Sequence, residues 1–216
     1  MKKNKRVKII VIILVIIGII FGISKIIGKK NSKGQELSKI YEDLNSSQTY
    51  QFEWEQNENN KTIMAKDGDK ILIDQYSKED STIQNHSKTL IKDNITYFIL
   101  PDRKEYYVYE GNTVDQTSFL TDGIKDIMGK EYTKGNEKVK GKRYDYEEYN
   151  GSSMFLIDNS LNLEENDIKT RFYFDKKGNL VYIKTLYGDK HELLKVSLSK
   201  DVDSSVFDIP SDYAEN

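Results

Sequence analysis

From residue 49 onward the apolar positions fall on every second residue. Tyr50, Phe52 and Trp54 are separated by Gln51 and Glu53, and Tyr144 and Tyr146 by Asp145. Such a period of two belongs to a pleated strand with one buried face, because successive side chains point to opposite sides of a sheet. A chain that keeps this pattern between closely spaced turn signals is committed to hairpins. The signals stand at 57–60 (NENN), 67–69 (DGD), 93–94 (DN), 101–102 (PD), 176–179 (KKGN) and 188–189 (GD). Between them the pattern predicts strands over 50–55, 62–66, 70–76, 82–91, 95–100 and 105–109. A second series is predicted over 138–149, 152–158, 169–175, 180–187 and 191–199. The repeat of roughly 8–12 residues points to an antiparallel meander.

Two segments keep a helical period instead. Leu37, Ile40, Tyr41 and Leu44 make one apolar stripe that stops near the Asn45-Ser46-Ser47 signal, so a helix enters the fold first. Phe119, Ile124, Ile127 and Met128, with Gly129 beyond them, predict a shorter helix over 116–128. Of the aromatic residues only Phe21 and Tyr41 precede residue 49. The rest lie in the strand-rich part, where one face of the sheet must meet a core or a ligand.

Ahead of the first helix lies a different kind of sequence. Residues 9–24 (IIVIILVIIGIIFGIS) are uncharged and cover about 24 Å as a helix, short of the roughly 30 Å hydrocarbon core. Lys25 can snorkel and 26–28 add another turn, so residues 9–28 are expected to span the membrane as a signal anchor. Residues 1–8 carry the basic cluster that the positive-inside rule keeps in the cytoplasm, and 29–34 form a short polar linker. Residues 35–216 are then the extracytoplasmic domain. The competing reading is a secretory signal peptide cleaved near Ser24, which also places the domain outside.

Charge and residue types narrow the chemistry. Residues 1–30 hold eight Lys/Arg and no acid, which leaves 25 basic against 35 acidic residues in the remainder, a domain near −10. That balance argues against nucleic acid as a partner. The basic stretch 134–143 (KGNEKVKGKR) reads as a solvated loop and a lysine-protected strand edge. The absence of cysteine excludes disulfides, thiolate metal sites, a cysteine nucleophile and lipid attachment through an N-terminal cysteine. His86 and His191 fit no zinc spacing, and no serine-hydrolase or phosphate-loop motif is present. Glu147-Glu148 and Glu164-Glu165 are adjacent pairs whose side chains point apart on a strand, so neither forms a two-carboxylate site. The stretch from Asp158 lacks the Gly and the final Glu of a calcium loop. The expectation is a non-enzyme with no catalytic residue, no metal and no cofactor.

The C-terminal third carries a more specific pattern. The strand Arg171-Phe172-Tyr173-Phe174-Asp175 is followed by a KKGN turn and the strand from Leu180, and the chain closes on Phe207-Asp208-Ile209-Pro210 and Tyr213. Together with the opening amphipathic helix and the meander over 51–109, this resembles the LolA-like superfamily of bacterial cell-envelope proteins, the lipoprotein-carrier and related lipoprotein fold. The resemblance spans most of residues 35–213 and rests on turn and hydrophobic positions. It implies an α+β fold: a strongly curved antiparallel half-barrel sheet with one or two covering helices and an apolar cavity that in several relatives holds lipid. A transmembrane segment here takes the place of the lipidated cysteine of many relatives, which does not suit a shuttling carrier.

The expected function is therefore a membrane-anchored extracytoplasmic binding protein that holds a lipid or other hydrophobic ligand in the half-barrel. Trp54, Phe98, Phe172 and Phe174 are the candidate lining, each weighed against ordinary core packing. The alternative is a non-catalytic structural or sensory module of the envelope that binds a protein or wall component.

Overall fold

The alternating stretches become two meanders that share one sheet. The structure is a computed structural model that describes residues 36–57, 59–79, 82–110, 119–151 and 168–216. In the first meander β1 (Thr49–Asn57), β2 (Asn60–Asp67), β3 (Lys70–Glu79), β4 (Thr82–Lys92), β5 (Ile95–Leu100) and β6 (Glu105–Glu110) pair antiparallel, each with the next. The second comprises β7 (Tyr132–Val139), β8 (Lys142–Asn150), β9 (Ile168–Phe174), β10 (Leu180–Tyr187) and β11 (Lys190–Ser199). The two join where β11 lies antiparallel beside β1, with Phe52 opposite Leu198 and Trp54 opposite Val196. A short β12 (Ala214–Glu215) adds parallel to the start of β6. The result is a curved twelve-stranded sheet with β7 at one end and β12 at the other.

Turn chemistry explains several of the connections. Asp93 and Asn94, between β4 and β5, both have positive φ (54° and 59°), as a two-residue hairpin turn that follows the twist of its strands requires. Lys140 and Gly141 do the same between β7 and β8, at 47° and 85°. This corrects the single strand expected over 138–149. The chain reverses at Lys140–Gly141, and the basic stretch 134–143 is a hairpin. Its outer strand, β7, is the edge of the sheet, which agrees with the expectation of a lysine-bearing edge.

Two helices cover one face of the sheet. The stripe of α1 (Glu36–Ser46) buries Leu37, Ile40 and Leu44, and α2 (Phe119–Met128) buries Ile124 and Ile127. They pack with Tyr50, Phe52, Met64, Tyr149, Ile183 and Leu194 into the main core. The opposite face has its own smaller core, in which the closing segment folds back across β2 to β5. Phe207, Ile209 and Tyr213 meet Ala65, Leu72, Leu90 and Ile99 there. A tight 3-10 turn (Ser204–Phe207) aims Phe207 inward, and the Asp203 carboxylate caps it by accepting from the Ser205 amide at 2.9 Å.

Among the described residues no helix is long and apolar enough to cross a membrane. The span expected over 9–28, the linker 29–34 and the strand expected over 152–158 lie outside the described residues.

Candidate functional site

Strand register decides which side chains share the helix-covered face. Phe98 stands opposite Thr89, Thr89 opposite Ile73, Ile73 opposite Met64 and Met64 opposite Phe52, one row from β5 to β1. Phe172 stands opposite Ile183, and Ile183 opposite Leu194. Paired residues point to the same side, so Trp54, Phe98, Phe172 and Phe174 all lie on the helix-covered face.

Their surroundings differ. Phe172 and Phe174 are buried in the core beneath the helices, at 0% and 4% exposure, and Phe174 also lines a cleft near the β7 edge. Trp54 is half-buried at the margin of the same cluster, its ring centroid 5.6 Å from that of Phe52. Phe98 is half-buried on the β4–β6 wing and, among the described residues, belongs to neither core. Its row continues to Tyr107 on β6, beside which Tyr109 is 49% exposed. The structure thus brings Trp54, Phe172 and Phe174 together and leaves Phe98 apart from them, four strands from β1 on the same face.

Among the described residues one carboxylate of this face is buried. Glu147 is 2% exposed, and its two oxygens accept the backbone N–H groups of Glu36 (2.9 Å) and Leu37 (3.3 Å) at the start of α1. The Tyr149 hydroxyl donates to it at 2.9 Å, and the Lys134 ammonium lies 3.6 Å away. Burial, then the neighbouring Glu147 charge, pushes the Tyr149 phenol well above its ordinary value. Glu147 therefore acts as a helix cap supplied from a distant strand. Period two does place it on the opposite side from Tyr146 and on the same side as Tyr149, and Gly34-Gln35 ahead of the helix offers no capping side chain, so a partial signal exists in the sequence.

On the opposite face a second carboxylate gathers three donors. Glu137 on β7 accepts from the Tyr173 hydroxyl (2.6 Å), Arg171 (2.8 Å) and Lys184 (2.9 Å), while Arg171 also donates to Glu148 at 2.5 Å. Partial burial pushes the Glu137 carboxyl up, but the hydrogen bonds from Tyr173, Lys184 and Arg171 outweigh it and hold the pKa at about 2. A carboxyl held below its ordinary value of 4.5 contributes stability above that value and loses it as the pH falls toward 2. The stability difference between wild type and Glu137→Gln should accordingly be constant above roughly pH 5 and shrink between about pH 4.5 and 2. Denaturant midpoints measured across that range test it; a difference that persists at pH 2 would mean the network does not act through the charge of Glu137.

Near the β7 edge lies a solvent-open cleft of about 620 Å³ between the start of α1, β8 and the β9–β10 turn. Lys39, Lys134, Lys176 and Lys177 are among the residues that line it, as are Glu36, Asp145, Glu147 and Asp175. Gly135 lets Tyr146 close over the strand: a Cβ at that position would stand 2.5 Å from the phenol ring.

No known protein-family model matches the sequence, and no curated protein is similar to it in sequence. Solved structures do overlap it. An uncharacterized conserved protein from Thermus thermophilus superposes with a TM-score of 0.44 at 9% identity, covering 83% of this chain and 98% of that one. The Mycobacterium tuberculosis lipoprotein LppX gives 0.42 at 9% identity, over 80% and 99%. A β-barrel-like protein of a domain of unknown function, DUF1849, from Brucella abortus gives 0.28 at 12% identity, over 67% and 73%.

Proposed function

We propose that the chain is a membrane-anchored extracytoplasmic binding protein of LolA-like type that holds a lipid or other apolar ligand, without catalysis. The ligand lies on the helix-covered face, at the margin between Trp54 and Phe98. One observation carries this reading: past the helix-packed core the row of that face runs from Ile73 across Thr89 to the half-buried aromatics Phe98 and Tyr107. Half-buried aromatics such as Phe98 and Tyr107 offer an acyl chain about 25 cal/mol for each Å² it buries, with no charged contact required. The anchor rests on the sequence alone, on the basic start and the apolar run over 9–28.

Trp54 is the single tryptophan and sits at the edge of the proposed site, so its emission reports occupancy. Titrating the full chain in phosphatidylcholine nanodiscs with palmitate should blue-shift that emission, and Phe98→Ser should weaken the response about tenfold. Unchanged emission, together with no lipid retained in native mass spectra of membrane-purified protein, would sink the reading. The full burial of Phe172 favours the second reading, a structural or sensory envelope module whose interior is filled by its own side chains.

A further inference from the structure

The cleft at the β7 edge is chemically the opposite of the apolar face. Among the described residues that line it, lysines and acids are equal in number. An anion drawn to the lysines would meet the carboxylates, and a cation would meet the lysines, so neither gains much from the field of the site.

Several of these charges are already satisfied by neighbours. Lys39 pairs with Glu36 at 2.8 Å and Lys134 with Glu147 at 3.6 Å. Asp175 accepts the backbone N–H groups of Lys177 and Asn179 and the Asn179 side-chain amide. The polar atoms left over are of both kinds. Among the described residues neither the Lys176 ammonium nor the Asp145 carboxylate has a hydrogen-bond or ion-pair partner. The Asn136 amide uses its oxygen for Arg143 at 2.6 Å and keeps its N–H donors, and the Tyr146 hydroxyl can both donate and accept. A hydroxyl group is the ligand function that pairs with free donors and free acceptors together. The volume lies inside the range of about 300–1,000 Å³ typical of ligand sites, which accommodates more than one sugar ring.

We propose that this cleft binds a neutral saccharide, with Lys176 and Asp145 among the hydroxyl-pairing groups of its lining. The same chemistry is offered by a glycolipid headgroup and by a wall glycan. Neither Trp54 nor Phe98 lines the cleft, so this proposal and the apolar-ligand reading fail separately.

The test is calorimetric titration of the full chain in phosphatidylcholine nanodiscs with three probes: free N-acetylglucosamine tetramer, diglucosyl diacylglycerol in phosphatidylcholine vesicles, and inorganic phosphate. Wild type should bind at least one saccharide probe, with an affinity that changes less than about twofold between roughly 50 and 300 mM salt. Asp145→Ala/Lys176→Ala should bind it at least about tenfold more weakly while melting at the wild-type temperature, since neither side chain has a partner among the described residues. Binding of the free tetramer alone assigns a wall glycan, and of the vesicles alone a lipid headgroup. No saccharide binding, equal binding by the double variant, or tighter binding of phosphate than of either saccharide would overturn the proposal.

Discussion

Glu147→Leu should lower stability by about 3–5 kcal/mol, because two buried donors and one partly buried donor lose their acceptor at once and each orphaned buried group costs roughly 1–3 kcal/mol. Those donors are the N–H groups of Glu36 and Leu37 and the hydroxyl of Tyr149, and Leu37 and Tyr149 are both fully buried, so water cannot replace the carboxylate there. Removing a buried charge recovers some desolvation energy, which is why replacing a buried ion pair by apolar residues is often neutral. That compensation is weak here. The cationic partner, Lys134, is 55% exposed and 3.6 Å away, so most of what Glu147 does is accept hydrogen bonds. Glu147→Gln keeps one acceptor oxygen and should cost less than half as much. Denaturant unfolding of both variants is the measurement; a leucine variant as stable as wild type would show that α1 needs no cap from β8.

Ile40→Asp should cost a comparable amount, about 3–5 kcal/mol, or a drop in melting temperature on the order of 10 °C. Ile40 is 9% exposed in the centre of the α1 stripe, packed in the main core with Leu37 and Leu44 on either side along the helix. The substitution forfeits the burial of its side chain and leaves a carboxylate either unpaired in that core or expelled with the helix. The two variants probe the same helix by different forces, one at its polar start and one along its apolar stripe. Melting of the aspartate variant within error of wild type would mean that α1 is peripheral to the fold.

What could be read from sequence divides along physical lines. Alternation at Tyr50, Phe52 and Trp54 specified a strand and its inward face, and Asp93-Asn94 announced a turn because both residues tolerate a left-handed backbone. The turn at Lys140-Gly141 was hidden, since lysine rarely takes positive φ and the alternation of Tyr144 and Tyr146 drew the strand through it. The closing Phe207-to-Tyr213 segment was visible as a pattern, yet nothing in a period of two says which face of the sheet such a segment will cover. Likewise Trp54, Phe98, Phe172 and Phe174 could be assigned to one face, whereas their burial depends on where two helices land. The Glu147 cap and the edge cleft were beyond local reading, because their partners lie more than a hundred residues away along the chain.

The seam between β1 and β11 also governs the order in which the sheet can form. Every other long strand pairs with a neighbour in sequence, and the first meander assembles from short loop closures alone. β1 is different: Gln51 waits for Ser199 and Glu55 for Lys195. During synthesis the first meander can therefore be complete while one side of β1 still exposes a row of unpaired N–H and C=O groups, a template for pairing with another chain. The seam closes only when the last long strand arrives. A lesion in β11 would then do its damage in β1, by leaving the middle of the final sheet as an open edge.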